Sequence, residues 1–328
     1  MRIVVDGYGG DNAPVEIVKG CVMAVNEIDA EIILVGKEAE LRELLSKESY
    51  PEGKITVKNA DEVIANDDVP VSAIRAKKNS SMVVALQTVK DGEADAVVSA
   101  GNTGAYFVGA FRILGRIEGV KRPALATFAA NLGAGSIMLD VGANTDCRAE
   151  HLLQFAKMGS LYAEKVMGVN NPRVAIVNIG AEETKGNELL KETYPMLENA
   201  GVNFVGNIEA RQIPYGDADV IVCDGFVGNV VLKLMEGMAL ALFGMIKQVF
   251  MKNLLTKLCA MILKPGLKSV KRKMDYAEYG GAPLLGINGA VIKAHGSSNA
   301  KAIYNAIKSA KAFAESGVNE KIRLELTQ

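Results

Sequence analysis

MRIVVDGYGGDNAP, residues 1–14, sets the pattern from which the fold class is read. Met1–Asp6 is a short apolar run closed by an acid and reads as a strand. The turn Gly7-Tyr8-Gly9-Gly10-Asp11-Asn12-Ala13-Pro14 follows. Pro14 opens a helix to about Asn26, because the first helical turn makes no use of the amide proton that proline lacks. The same unit of apolar run, polar or glycine-rich turn and helix recurs down the chain. Glu31–Val35, Ala94–Ser99, Ser136–Asp140, Arg173–Asn178, Val202–Gly206, Val220–Cys223 and Val291–Lys293 read as further strands. Strands alternating with helices predict an α/β fold: a doubly wound, mainly parallel sheet flanked by helices. No repeat, low-complexity tract or clear linker interrupts it, so residues 1–328 read as one large unit.

Composition bounds the function. Hydrophobic residues make up 49% and charged residues 23%, as in a folded globular chain. Aromatics are 5% with no Trp, so the core must be built from Ala, Val, Ile, Leu and Met. A net charge of −1 carries no nucleic-acid footprint. Cys21, Cys147, Cys223 and Cys259 are dispersed without metal-ligand spacing, and His151 and His295 are the two histidines, so no metal site is expected. Dispersed cysteines and no signal-like leader predict a cytoplasmic protein. No stretch reaches the roughly 18 uninterrupted apolar residues of a membrane span. The most apolar, Gly237–Phe250, is shorter and carries Lys247.

In parallel sheets, ligands collect at the carboxyl ends of strands, and the polar turns fall at those ends. In the first turn, glycines such as Gly10 let backbone N–H groups converge beside Asp6 and Asn12. Asn102, Thr103 and Gly104 repeat that design after Ala94–Ser99, with donors suited to phosphate oxygens. Asp140 closes a strand and can orient a donor, Asn144 reads first as a cap, and both stand among the candidate phosphate-binding residues. Lys185, in the loop 178–187, can neutralise a phosphate or a developing oxyanion. Asp224, Gly228 and Asn229 open a long apolar helix, where Asn229 is placed as a cap or as a donor to a carbonyl oxygen. Lys293, His295, Ser297 and Ser298 precede a helix N-terminus and form the richest cluster, a credible phosphate cradle. Each turn read singly is also consistent with plain helix capping.

The segment Lys247–Met274 differs, with eight basic residues and no acid. Leu254, Leu255, Leu258, Met261 and Ile262 recur at helical spacing in it, with Lys257 and Lys264 among the cations, and Pro265-Gly266 is expected to break the helix. Such a surface suits an anionic membrane, an acidic partner protein or a dimer interface.

Taken in order, VDGYGGDNAP, SAGNTGA, LDVGANTDC, NIGAEETKGN, DGFVGN, YGGAPLLG and IKAHGSS resemble the bacterial phosphate acyltransferase family, PlsX. The resemblance covers most of the chain and departs at Gly7-Tyr8, where the family pattern has small Ala-Met. It implies a fold related to phosphotransacetylases and the isocitrate/isopropylmalate dehydrogenase group, and a homodimer. It further implies transfer of a long acyl chain from acyl carrier protein to inorganic phosphate, in phospholipid (phosphatidic acid) synthesis. The acyl-phosphate would pass to a membrane glycerol-3-phosphate acyltransferase. Lys185 and Asn229 are the residues it marks as catalytic. His295 would orient phosphate or take its proton, and phosphate would rest against Asn102–Gly104 and Ser297–Ser298. No cofactor is expected: GYGGDN is not the dinucleotide turn G-x-G-x-x-G. With the acidic carrier and a membrane enzyme as partners, Leu254, Leu258, Ile262, Lys257 and Lys264 become the expected contact surface. The rival readings are a phosphotransacetylase acting on acyl-CoA and a non-catalytic membrane scaffold.

Overall fold

In the computed structural model, which describes residues 1–273 and 278–327, strands form wherever short apolar runs can be covered on both faces. These are β1 (Arg2–Asp6), β2 (Glu31–Gly36), β3 (Ile55–Asn59), β4 (Ala96–Ser99), β5 (Ala124–Ala129), β6 (Ser136–Leu139), β7 (Arg173–Asn178), β8 (Asn203–Glu209), β9 (Val220–Val222), β10 (Ala282–Leu285) and β11 (Ala290–Lys293). They lie in one 11-stranded sheet of order β3-β2-β1-β4-β11-β10-β5-β6-β9-β7-β8. Every residue of β4, β6, β9 and β11 is buried, which is why these runs are apolar apart from the terminal Ser99, Ser136 and Lys293, rather than alternating.

The sheet is two parallel blocks joined back to back. β3, β2, β1, β4 and β11 run one way. β6, β9, β7 and β8 are likewise parallel to one another. Between the blocks, β10 and β5 are each antiparallel to both neighbours. The resulting reversals point the blocks in opposite directions, and loops from both nonetheless line one central cleft. The sequence reading misses β3, β5 and β10. Pro283 sits within β10 and paired with Ile292, a place where proline ordinarily argues against a central strand. The alanines of β5 carry little strand signal of their own.

Expected helices form with small shifts: Val15–Glu27, Thr103–Ile113, Ala149–Lys165 and Ala300–Glu315. Phe155 and Phe313 are the largest fully buried side chains. The helices Val15–Glu27 and Ala300–Glu315 touch most closely at Gly20, where an added Cβ would lie 2.6 Å from the Ile303 Cβ.

Two expectations are corrected outside the sheet. Asp224 caps a 26-residue helix, Gly225–Phe250, long and apolar enough to cross a membrane by length and composition, although its more apolar second half is too short when read separately. Its only buried residues, Gly225 and Gly228, lie in the first turn, and Leu234, Leu240 and Val249 are 62%, 73% and 63% exposed. The helix Leu254–Lys273 runs through Pro265-Gly266 instead of breaking there. Proline removes one intrahelical bond, and on a helix with no buried residue water can satisfy the freed carbonyl. The last position of the basic segment, Met274, lies outside the described residues.

Gly20→Val should overpack the helix pair and lower stability by about 1–3 kcal/mol. Urea unfolding of the variant against wild type measures this, and an unchanged midpoint would show the contact to be looser than described.

Candidate active site

Each block contributes loops that are tied together from beneath by a buried carboxylate. In the second block, Asp140 is fully buried at the end of β6. Its Oδ1 accepts the N–H of Leu125 at 3.0 Å and of Ala143 at 3.1 Å. Its Oδ2 accepts the Asn144 N–H at 2.6 Å and Nδ2 at 2.9 Å. Burial pushes the carboxyl above the usual aspartate range, and these four donors act against that shift. The Gly225 N–H donates to Asn144 O at 2.7 Å, joining this loop to the one after β9. There Asp224 Oδ1 caps the long helix through the N–H groups of Phe226 and Val227, both at 2.9 Å. Gly228 is required: an added Cβ would stand 1.9 Å from Asp140 O. The close approach brings Asn229 against Gly142, its Oδ1 3.8 Å from where a Cβ on Gly142 would lie.

The first block is built similarly around Asp6, 1% exposed at the end of β1. Ser99 Oγ donates to Asp6 Oδ2 at 2.7 Å, and the Gly101 N–H donates to Ser99 Oγ at 3.1 Å. Burial raises the Asp6 carboxyl, and the Ser81 and Ser99 hydroxyls lower it. The Asp11 N–H donates to Gly296 O at 2.8 Å. Asn12 Nδ2 reaches Ser297 O and Ser298 O, both at 3.2 Å. Gly10, at φ +102°, lets the turn pass within 2.9 Å of Gly296 O measured from an added Cβ.

Between the blocks lies a cleft of about 420 Å³ whose walls include Thr103, Gly142, Asn229, Lys233, Lys293 and His295. Lys293, at the end of β11, is 8% exposed. Burial lowers its ammonium to about 8, against the opposing pull of Asp6 and Asp11. Its Nζ donates to Ala294 O. His295 is held below the ordinary imidazole range by burial first and by Lys233 second. His295 Nδ1 lies 2.8 Å from Ser297 Oγ and 3.2 Å from the Ser297 backbone nitrogen, so Ser297 backs the ring on its Nδ1 side. At the rim Phe128 and Tyr279 stack, with centroids 3.8 Å apart. A cleft with convergent cations and amide donors can hold an anion and stabilise a developing oxyanion.

The family model described as fatty acid synthesis protein matches residues 1–321. A phosphate acyltransferase from Desulfitobacterium hafniense is 55% identical over 327 residues, covering 99% of this chain and 98% of that protein. One from Alkaliphilus oremlandii is 53% identical, covering 98% and 96%. This chain belongs to the phosphate acyltransferase family. It is an acyl-transferring enzyme of fatty acid and phospholipid synthesis. Solved structures extend the likeness of fold: a Streptococcus pyogenes phosphotransacetylase superposes with a TM-score of 0.63 at 19% identity, covering 95% of this chain and 94% of that one. A 4-hydroxythreonine-4-phosphate dehydrogenase from Klebsiella pneumoniae superposes at 0.56 and 13% identity, covering 96% and 99%.

In the acyltransferase, Asn229, His295, Lys293 and Thr103 stand in the cleft walls. Asp6, Gly10, Asn12, Asp140, Asn144, Asp224 and Gly228 do not; they frame the loops. Asn102 caps its helix by accepting the Ala105 N–H at 2.9 Å, and its Nδ2 clamps Asn66 O at 2.9 Å. Ser297 supports His295, and Ser298 Oγ is buried without a hydrogen-bond partner. Lys185 is exposed and outside the cleft walls. Its strand β7 lies beyond β9, so the Asp224–Asn229 loop intervenes. The aberrant Tyr8 also turns away, its ring over Gly36 and its hydroxyl donating to Glu40. Cys147 is pushed up to about 12 by burial and by the Asp140 and Asp224 carboxylates, which fits a packing thiol rather than a nucleophile. Lys233 and Glu236 escaped the sequence reading although they follow Asn229 by four and seven residues, one helical face.

Lys293 predicts a pH effect of definite sign. Between about pH 8 and 10.5 the unfolded chain keeps this proton and the folded chain loses it. Stability from this group therefore rises through that window and is lost as pH falls toward 8, an effect of about 3 kcal/mol. The difference in unfolding free energy between Lys293→Met and wild type should narrow by that order from pH 7 to 10.5, and a pH-independent difference would place the ammonium in solvent.

Proposed function

We propose that the enzyme transfers a long-chain acyl group from acyl carrier protein to inorganic phosphate, releasing acyl-phosphate. The observation that carries this reading is the convergence of Asn229, Lys233, Lys293 and His295 on one cleft formed by opposed loops. Phosphate oxygen attacks the thioester carbonyl, a tetrahedral oxyanion forms, and the carbon–sulfur bond then breaks. The phosphate proton ends on the departing pantetheine thiol, so the balance needs no other reactant. Lys293 and Lys233 would neutralise phosphate, and Asn229 would donate its amide N–H to the oxyanion. His295, backed on its Nδ1 side by Ser297, would orient phosphate through its other ring nitrogen or take its proton. The narrow cleft would limit hydrolysis of the product by restricting water.

The enzyme acts on this reading as a cytoplasmic homodimer attached peripherally to the membrane, where acyl-phosphate passes to a glycerol-3-phosphate acyltransferase. Two observations support this. Leu254, Leu258 and Ile262 are 76%, 47% and 81% exposed on one face of a helix that also bears Lys257 and Lys264. The long helix before it leaves a large apolar surface in need of cover.

Phosphate-dependent release of free carrier protein from long-chain acyl carrier protein tests the reaction. Asn229→Ala should lower kcat by about 100- to 1,000-fold. Lys185→Ala tests whether the loop after β7 belongs to the working site, and full activity would remove it. No release at saturating phosphate would end the proposal and direct attention to acyl-CoA. Replacing Leu254, Leu258 and Ile262 together with Gln should weaken binding to anionic liposomes by at least roughly tenfold. Unchanged liposome binding and unchanged dimerisation would refute the surface assignment.

A further inference from the structure

A second chamber of about 340 Å³ opens from the cleft. The two spaces share Thr103, Leu125, Gly142 and Lys293, so these four residues draw the boundary, or neck, where the spaces adjoin. Beyond the neck the character changes. Tyr106, Phe107 and Val108, from the helix Thr103–Ile113, face Leu284 of β10, with Pro70 and Ala143 completing the walls. The polar group of Tyr106 is spent, since its buried hydroxyl donates to Val97 O at 3.1 Å. The Lys293 Nζ at the neck gives one of its three protons to Ala294 O, which leaves donors for the cleft side. Gly104 lets Pro70 close onto this helix as one wall, because an added Cβ there would lie 2.8 Å from Pro70 Cγ.

The polar groups are thus gathered at and before the neck, with hydrocarbon walls behind it. Water in the rear chamber finds few partners, and an apolar occupant is favoured. An occupant continuous with a reacting group in the cleft must be apolar at one end and polar at the other. We propose that the rear chamber takes the hydrocarbon tail of the acyl thioester while the carbonyl lies at the neck between Asn229 and Lys293, and that Phe107 and Val108 set the chain length accepted. This rests on the acyl-transfer reading and adds to it the place of the tail and the residues that measure it. The tail enters with its carbonyl last, so each methylene added at the far end meets the side chains of the helix Thr103–Ile113.

The test compares palmitoyl- with butyryl-carrier protein in wild type, Val108→Trp and Phe107→Ala. Val108→Trp fills the chamber, and the ratio of kcat/KM for palmitoyl over butyryl should fall at least roughly tenfold, at about fourfold per methylene returned to water. Phe107→Ala enlarges it and should move the optimum toward longer chains. Binding of free palmitate by calorimetry gives a readout independent of transfer, and Val108→Trp should weaken it by a similar factor. An unchanged chain-length ratio in both variants, with palmitate binding also unchanged, would overturn the assignment. Wild type that binds palmitate, loses that binding in Val108→Trp, yet shows no phosphate-dependent release would keep the chamber and reject acyl transfer to phosphate.

Discussion

Two aspartates buried at strand ends hold the site in shape. Taking a carboxylate out of water is costly unless hydrogen-bond donors replace the lost solvent. Asp140 draws its donors from Leu125, Ala143 and Asn144, and Asp6 draws its from Tyr8, Ser81 and Ser99. In each case meeting that demand folds the loop into one shape. Neither carboxylate stands in the cleft walls, yet the groups that do are set by them. Gly142 lies two residues after Asp140, Asn229 is seated against Gly142, and the Asp6 turn bonds to the loop that carries His295.

The antiparallel strands β10 and β5 join two separately organised blocks, and loops of both line one cleft. In an ordinary doubly wound sheet, loops at carboxyl ends share one edge and a ligand lies across it. Here the blocks point in opposite senses, and the opposing loops supply different chemistry to a shared space. Lys293 and His295 come from one block, Asn229 and Lys233 from the other. Neither block holds the full set.

Much of this was legible beforehand for a physical reason. A buried parallel strand needs a continuous apolar run and its loop needs glycine and short polar side chains, so Met1–Asp6, Ser136–Asp140 and Val291–Lys293 announce both strand and site. β5 and β10 gave no such signal, being alanine- and proline-bearing strands whose place is fixed only by pairing with distant partners. The division of labour among loop polar residues was equally hidden. Asn102, Asp140 and Asp224 look like ligand donors in sequence, and their partners turn out to be backbone groups brought near by folding. Conversely, Lys233 lay inside an apolar helix with no turn to advertise it, and only helical spacing from Asn229 could have marked it.

The helix Gly225–Phe250 has its first turns in the cleft and its remaining turns in the open. At a rise of about 1.5 Å per residue it spans roughly 39 Å. A rod of that length fixes a standoff: the reacting groups at its capped end lie a set distance from whatever its other end touches. Asn229 and Phe250 are therefore parts of one helix, and any surface that meets its far end meets it at a set distance from the cleft.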